Sequence, residues 1–236
     1  SKVPPHVCKK FEDYNQGAEE SAEFLWNEGG ILLSIMTAKE LQRMAVYLLS
    51  KAEHRSVLSA FTFDRTEVSD ALQSAASRGV DVKVIGDRKH TETGATRFMP
   101  ARFKAMRQAG VEVWNSAGLS GTSGIQQSKT LLVDDILLSG SANWTNATRE
   151  NKEFGTMTYL EPEGMRAYDR MFGILMKNAR KVSDKMLADA QAVRDARASD
   201  RARSVPETDR HRTAKRFSVS RARDRARHPE TEPDEE

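Results

Sequence analysis

The apolar positions of residues 37–160 follow two periods, one typical of helices and one typical of strands. The first predicted helix begins at Thr37 and Glu40, which have the spacing of a capping box. The apolar residues that follow recur at helical spacing: Leu41, Met44, Ala45, Leu48 and Leu49. Residues 55–63 come next and carry enough β-branched and aromatic side chains for a buried strand.

The alternation of helix and strand continues through the middle of the chain. Helices are predicted at residues 66–78 and 101–108, and strands at residues 80–85 and 111–114. The two helices are followed by Gly79 and Gly110, a residue type that typically ends a helix. Because strands and helices alternate in βαβ units, we expect an α/β fold with a mixed, mostly parallel sheet flanked by helices.

The second half of the chain begins with a glycine- and serine-rich loop. The predicted order is this loop at residues 116–124, short strands at 129–133 and 136–138, a strand at 153–160 and a long helical stretch from Glu161 to about Val193. We therefore expect three parts: an N-terminal segment (1–36), an α/β domain (37–182), and a helical-to-disordered, Arg-rich tail with an acidic end (183–236).

Charge is concentrated in the tail. The net charge of the chain is only +3, but residues 201–228 carry ten Lys or Arg against three acidic residues, and residues 229–236 carry five acidic residues and no basic one. Beyond Arg194 the large apolar residues are Val205, Phe217 and Val219, too few to stabilise a fold. We expect this tail to order only on other protein subunits or on RNA, which a salt titration of the tail peptide against RNA tests.

Several classes of protein are excluded by composition. Cys8 is the single cysteine, so an intramolecular disulfide framework and a cysteine-rich zinc site are excluded, and a reducing compartment is favoured. The longest strongly apolar run, residues 31–36, is too short for a transmembrane segment. His and carboxylate residues show no metal-ligand spacing, so neither a metal site nor another cofactor is expected. The start at Ser1 fits a shortened chain or a mature product without its targeting segment.

The residues that indicate a functional site lie in the range 127–153. This stretch contains Gln127-Ser128-Lys129, Asp134, Gly140-Ser141-Ala142-Asn143-Trp144-Thr145 and Asn151-Lys152-Glu153. The spacing resembles the motif of the phospholipase D superfamily: His-x-Lys, four residues, Asp, and then Gly-Ser-x-Asn. The resemblance covers residues 38–178. It is strongest to the single-motif branch that includes mitochondrial cardiolipin hydrolase, the Zucchini endoribonuclease and small bacterial nucleases.

The resemblance implies a fold, a mechanism and an assembly. Residues 37–182 would form a phospholipase D-like domain. One histidine would attack phosphorus and a second would protonate the leaving oxygen, without a metal. Lys129 and Asn143 would hold the phosphate oxygens with help from Ser141, and Glu153 would orient a histidine. Since the chain has one motif, the resemblance implies a two-fold homodimer with its cleft at the interface. The mitochondrial relatives also suggest an intracellular protein, with the mitochondrion as the expected compartment.

The sequence departs from the motif at its most important position. Gln127 replaces the nucleophilic histidine, and an amide is neither a nucleophile nor a useful proton carrier near pH 7. We therefore expect a pseudoenzyme, a structural or phosphate- and RNA-binding subunit of a larger complex. Its degenerate site comprises Gln127, Lys129, Asp134, Ser141, Asn143 and Glu153. Of these residues, Lys129, Ser141 and Asn143 would still bind phosphate.

Alternatives remain at this stage. The chain could be a working endonuclease or cardiolipin-type phospholipase, with unusual chemistry or with Gln127 as an introduced substitution. His90 is the one candidate replacement histidine, although its place after a strand and among basic neighbours favours an exposed loop residue. For Asp134 we prefer the interpretation that it pins a strand end. The surface around Lys129, Asn143 and residues 116–124 is expected to be an interface.

Overall fold

The structure is a computed structural model that describes residues 4–17, 25–26, 32–94, 96, 98–121 and 123–204. The described residues up to Arg194 belong to one unit, and those from Asp195 belong to a second. The tail beyond Ser204, which includes most of the Arg-rich stretch and its acidic end, lies outside the described residues. The three-part division of the chain at residues 36 and 182 stays a prediction.

Seven helices and nine strands are present among the described residues. The helices are α1 (Pro5–Gly17), α2 (Ala38–Ser50), α3 (Thr66–Ser77), α4 (Arg88–Thr93), α5 (Met99–Gln108), α6 (Pro162–Met176) and α7 (Asp184–Ser204). The strands are β1 (Leu25–Trp26), β2 (Leu32–Thr37), β3 (Arg55–Ala60), β4 (Asp81–Asp87), β5 (Glu112–Ser116), β6 (Thr130–Val133), β7 (Ile136–Gly140), β8 (Phe154–Tyr159) and β9 (Arg180–Lys181). A 3₁₀ helix spans Ala147–Glu150. None of the helices in these described ranges is long and apolar enough to cross a membrane.

The start of α2 follows from its sequence. Thr37 Oγ1 accepts the Glu40 backbone N–H at 3.3 Å, and the Glu40 carboxylate accepts the Thr37 backbone N–H at 2.7 Å. These two bonds form the predicted capping box and satisfy N–H groups that the first turn of a helix leaves unpaired. The apolar residues that follow, from Leu41 to Leu49, are buried on one face of the helix. The prediction of this helix is confirmed.

The nine strands form one mixed sheet in the order β1-β2-β8-β7-β6-β3-β4-β5-β9. The predicted α/β class with a mixed sheet flanked by helices is confirmed. The prediction that the sheet is mostly parallel is wrong, because β3–β4 and β4–β5 are the two parallel pairings among the eight described. The physical reason lies in the turn at Asp134 and Asp135, which is too short for a crossover and makes β6 and β7 an antiparallel hairpin.

Alternating residues of the central strands face two separate cores. On β3 and β6, Leu58 and Leu131 belong to the larger core, which α2, α3 and α5 cover. Their sequence neighbours Val57 and Leu132 belong to a smaller core beneath α6, together with Tyr168. Because successive side chains of a strand point to opposite faces, each central strand contributes to the larger core on one face of the sheet and to the smaller core on the other. Burial and the nearby Asp169 raise the pKa of the Tyr168 hydroxyl to about 12, although Arg55 opposes the shift.

The predicted long helix after Glu161 is wrong in one respect. It is interrupted between Met176 and Asp184, where β9 pairs with β5. Just beyond β9, the Val182 backbone N–H donates to the Val113 carbonyl at 2.9 Å, and its side chain is buried. Ser183 Oγ then accepts the Met186 N–H and starts α7. Pairing with a neighbouring strand has overridden local helix preference here.

Two glycines allow the ends of β7 and β8 to approach closely. Gly140 and Gly155 lie opposite each other in the sheet. A Cβ atom on Gly155 would lie 2.8 Å from both Leu41 Cδ2 and the Ser139 carbonyl oxygen, and one on Gly140 would lie 2.6 Å from the Phe154 carbonyl oxygen. These contacts are shorter than van der Waals packing allows. The edge of the sheet at this point therefore needs both glycines.

We predict that Gly155→Ala lowers the free energy of unfolding by about 1–3 kcal/mol, because the added methyl group must displace Leu41 or the backbone. The matched control is Gly173→Ala on α6, where an added Cβ meets nothing within 4 Å. This control should be neutral or raise the stability by up to about 1 kcal/mol, since alanine favours helix over glycine. Urea unfolding of both variants measures the difference. Equal effects would contradict the close-approach argument.

Candidate functional site

The strand register brings the predicted site residues, except Asp134, to one edge of the sheet. Ser59 near the end of β3 lies opposite Thr130 at the start of β6, and Thr130 in turn lies opposite Ser139 of β7. Lys129 therefore lies at the edge where β3, β4 and β7 end and β8 begins. The Gly-Ser-x-Asn segment leaves this edge after Gly140, and Glu153 enters it just before β8.

Lys129 is half-buried at this edge. Its Nζ donates to the Gln127 carbonyl oxygen at 2.9 Å and lies 5.4 Å from the centroid of the Phe61 ring. Burial lowers the pKa of the Lys129 ammonium, and the Glu153 carboxylate opposes this by raising it. The lowered pKa means that the ammonium has lost more hydration than its neighbours replace, so an anion placed here would stabilise its charged form.

Gln127 presents its side chain to solvent, while its two neighbours face the protein. The Gln126 backbone N–H donates to Asp87 Oδ2 at 3.1 Å, and its Nε2 donates to the Ile85 carbonyl at 3.2 Å. Ser128 Oγ donates to Ser59 Oγ at 2.9 Å. These bonds fix the chain just before β6. The side chain at position 127 is left exposed beside Lys129.

The Gly-Ser-x-Asn segment is held on two sides. The Ser141 backbone N–H and hydroxyl both donate to the Phe154 carbonyl, at 3.2 and 3.4 Å. The Asn143 carbonyl accepts Gln42 Nε2 at 3.4 Å, while Asn143 Oδ1 is buried without a hydrogen-bond partner among the described residues. Ser141 is exposed and Asn143 half-buried, so this segment offers both side chains at the edge of the sheet.

Trp144 anchors the same segment. Its indole Nε1 donates to the Ser59 carbonyl at 3.2 Å, and the ring is 1% exposed. Its own carbonyl accepts the backbone N–H groups of Asp64 and Arg65 at 3.0 and 3.2 Å. Trp144 therefore packs inside the fold and holds the motif segment against β3.

Glu153 lies close enough to Lys129 to influence its charge. Its carboxylate accepts Asn151 Nδ2 at 3.2 Å and raises the Lys129 pKa. Within the part of the chain that the structure describes, no histidine is bonded to it. A role for Glu153 in orienting a histidine stays a prediction.

Asp134 does not lie with the other site residues. It follows the far end of β6, five residues along the chain from Lys129 at about 3.3 Å per residue. Its carboxylate accepts the backbone N–H groups of Glu53, His54 and Arg55 at 3.1, 2.9 and 3.1 Å, and Lys10 Nζ lies 3.7 Å away. The preferred interpretation, that Asp134 pins a strand end, is confirmed, and the residue contacts nothing at the opposite edge.

The expectation that His90 is an exposed loop residue is wrong. His90 lies in α4, a quarter of its side chain is exposed, and its ring centroid is 4.1 Å from that of Phe61. Its Nδ1 lies 3.1 Å from the Phe61 carbonyl oxygen. Because a carbonyl can only accept, Nδ1 carries the proton and the neutral ring keeps its lone pair on Nε2. The Phe61 ring is therefore a neighbour of both His90 and Lys129.

Sequence reasoning missed the residue that organises this part of the edge. Asp87 is 2% exposed, and its carboxylate accepts the N–H groups of His90 and Gln126 at 2.9 and 3.1 Å. It thereby joins the start of α4 to the entry of β6. An aspartate between a predicted strand and a helical segment is a typical N-cap signal, which could have revealed it. No cluster of His, Cys, Asp and Glu that could hold a metal ion occurs among the described residues.

Comparison with known proteins gives a consistent result. The family model described as "Cardiolipin synthase, PLD-like domain" matches residues 46–176. Mitochondrial cardiolipin hydrolase of Danio rerio is 33% identical over 132 residues, 55% of this chain and 54% of that protein. The same-named protein of Xenopus tropicalis is 34% identical over 108 residues, 45% of this chain and 47% of that protein. The chain spans about half the length of the curated relatives it matches.

A solved structure shows the same fold. The crystal structure of a phospholipase D family member, Nuc from Salmonella typhimurium, superposes with a TM-score of 0.57 at 20% sequence identity. The superposition covers 64% of this chain and 98% of that one. At this level of identity the likeness concerns the fold alone.

We predict that Asp134→Ala lowers the free energy of unfolding by about 1–3 kcal/mol, because three backbone N–H groups lose their acceptor. The left-handed backbone at this position, with φ of 54°, adds to the cost for alanine. Asp135→Ala is the control, since that carboxylate has one long contact with His6 at 3.4 Å and should cost less than about 1 kcal/mol. Denaturant unfolding measures both. Equal losses would contradict the pinning role.

Proposed function

The chain belongs to the family of phospholipase D-like domains, and we propose that it is a member that binds phosphate groups without cleaving phosphodiesters. Gln127 carries this proposal, because it occupies the place of the nucleophilic histidine in the motif that the sequence resembles. The lone pair of an amide nitrogen is delocalised into its carbonyl, so this side chain can neither attack phosphorus nor carry a proton. In a two-fold dimer both histidines would be lost together.

Phosphate binding can persist without the histidine. The Lys129 ammonium makes no ion pair within 4 Å in the described part of the chain, and its one hydrogen bond goes to a neutral carbonyl. Ser141 and Asn143 supply a hydroxyl and an amide at the same edge. Such groups stabilise phosphate oxygens whether or not a bond is broken. Lys129, Ser141 and Asn143 are therefore the proposed phosphate-binding residues.

The names of the curated relatives guide the proposed location and ligand class. Both are mitochondrial cardiolipin hydrolases, which supports a proposed mitochondrial location and a phosphodiester as the proposed ligand. Lipid headgroups and nucleic acids both present this group. The proposal of a role within a larger complex rests on the Arg-rich residues 201–228, whose guanidinium groups suit phosphates or acidic partner subunits.

A homodimer with the site at its interface is part of the same proposal. Three large apolar side chains are exposed near the site: Leu119 at 80%, Phe154 at 67% and Ile125 at 47%. Phe154 follows Glu153 directly, and the other two belong to the segment that leads to Gln127. Apolar side chains exposed around a polar site are typical of a protein interface.

A second candidate function is a working phosphodiesterase that uses His90. The observation that favours it is the His90 ring, which shares the Phe61 side chain with Lys129 and keeps its Nε2 lone pair unprotonated in the neutral form. An imidazole with Nδ1 held by an acceptor and Nε2 available is suited to nucleophilic attack or proton transfer. In this function Gln127 would take no part in the reaction.

We predict that the native chain leaves single-stranded nucleic acid and cardiolipin uncleaved. Gln127→His should raise the cleavage rate of one of them by about 10³-fold or more, because it restores nucleophile and general acid in a dimer. Single-turnover assays with matched protein concentrations measure both. If the native chain cleaves at a rate near that of the variant, the proposal is wrong. If His90→Ala then abolishes the native rate, the second candidate function is correct.

We predict that the chain forms a dimer with twice the monomer mass of 26.4 kDa and that Phe154→Ser shifts it to the monomer. The matched control is Met171→Ser, because Met171 is 56% exposed on α6, two residues from Asp169, which pairs with Arg55 at the opposite edge of the sheet. Light scattering during gel filtration measures the masses. A monomeric native chain, or dissociation by the control alone, would refute an interface at the site.

A further inference from the structure

A basic cavity of about 290 Å³ lies outside the site described above. It is bounded by the start of α2, the start of α3 and the 3₁₀ helix Ala147–Glu150. Four cationic side chains line it: Lys39, Arg43, Arg65 and Arg149. The one carboxylate in its lining is that of Glu67. Positive charge therefore exceeds negative charge inside a concave surface, where field lines are focused.

The carboxylate is already engaged by one of the cations. Arg65 donates to Glu67 Oε1 at 2.6 Å and to Asn146 Oδ1 at 2.6 Å. The side chains of Lys39 and Arg149, by contrast, make no hydrogen bond or ion pair with the part of the chain that the structure describes. Two cations thus reach the cavity without a counter-charge.

The pKa of Arg65 shows the effect of the neighbouring positive charge. The Arg65 side chain is 12% exposed. Burial lowers the pKa of its guanidinium, and the charge of Arg149 lowers it further, while Glu67 and Asp64 raise it. Arg149 is therefore close enough to repel Arg65. Two guanidinium groups held near each other provide the forked donors that phosphate oxygens accept.

Gln42 connects the cavity to the motif segment. Its side chain is buried, and Nε2 donates to the carbonyls of Thr145 and Asn143 at 3.1 and 3.4 Å. These bonds hold the Gln42 amide in one orientation and leave its Oε1 without a partner among the described residues. The cavity wall is consequently fixed by the segment that carries Asn143.

We propose that this cavity is a second phosphate-binding site, in which Lys39 and Arg149 neutralise a phosphate group beside the Arg65–Glu67 pair. Its volume is at the lower end of ligand pockets, so it suits a phosphate with few attached atoms. The group can come from a soluble phosphate or from a lipid headgroup. The site uses neither Gln127 nor Lys129, and it binds phosphate whether or not the motif site does.

The first arm of the test uses inorganic phosphate at constant ionic strength, with chloride as the balancing anion. All proteins carry Lys129→Gln, which removes the motif lysine as a source of the signal. Phosphate should raise the Tm of this background protein by about 2–4 °C at saturating concentration. The added pair Lys39→Gln and Arg149→Gln should abolish the shift. These substitutions remove no hydrogen bond or ion pair between described residues, so the fold should be retained.

The matched control is the pair Arg166→Gln and Arg170→Gln on α6, which removes the same charge from exposed positions outside the cavity. This control should keep the full phosphate shift. Absence of any shift in the background protein, an unchanged shift after loss of Lys39 and Arg149, or equal loss in both pairs would overturn the proposal.

The second arm distinguishes the two sources of phosphate. Flotation with phosphatidylglycerol vesicles, and with phosphatidylcholine vesicles as the uncharged control, is measured for the same set of proteins. Binding to phosphatidylglycerol that depends on Lys39 and Arg149 but not on the α6 pair assigns the cavity to lipid headgroups. A phosphate shift without such binding assigns it to soluble phosphates. Both results support the site, and neither depends on catalysis at the motif.

Discussion

The docking of Trp144 against the end of β3 is the contact on which both proposed phosphate-binding sites depend. The indole is bonded to the Ser59 carbonyl, and the Trp144 carbonyl is bonded to the backbone of Asp64 and Arg65. On one side this contact positions Asn143 beside the entry of β6. On the other side it brings the 3₁₀ helix with Arg149 against Arg65 and the start of α2. A single buried side chain thus gives the segment after β7 two functional faces.

Two carboxylates complete this framework at opposite edges of the sheet. Asp87 joins the end of β4 to the chain before β6, and Asp134 joins the end of β6 to the chain before β3. Each accepts backbone N–H groups that would otherwise lack partners, an arrangement stronger than bonds between neutral groups. Both residues belong to the scaffold. Their contribution to the proposed phosphate binding is indirect, through the position of β6.

The parts of the fold predicted correctly were those determined by local chemistry. Thr37 and Glu40 announce α2 because a capping box needs only four adjacent residues, and the helices before Gly79 and Gly110 end where glycine permits a left-handed turn. The break between α6 and α7 was missed because it depends on β5, far away in the chain. The parallel sheet was overestimated for the same reason, since strand direction depends on pairing.

In the candidate site, too, the residues of a local sequence pattern were predicted, and those brought together only by folding were missed. Lys129, Ser141, Asn143 and Glu153 could be named because a motif is a pattern in sequence. The half-buried position of His90 beside Phe61 could not, because α4 and the residues after β3 meet only in the folded chain. The basic cavity was missed because Lys39, Arg65 and Arg149 belong to three separate elements. Spatial convergence of distant residues leaves no periodic signal.

The spacing between Lys129 and Asp134 has a mechanical meaning. The four residues between them are the whole of β6, with Leu131 and Leu132 committed to opposite cores and Asp134 fastened at the far end. One residue more or less would turn every side chain of the strand over and carry Lys129 to the other face. The interval between the two residues is therefore set by the length of one strand of the sheet. A motif recognised by its lysine and aspartate shows that this strand has kept its length and register. It does not show whether a nucleophile is present beside the lysine.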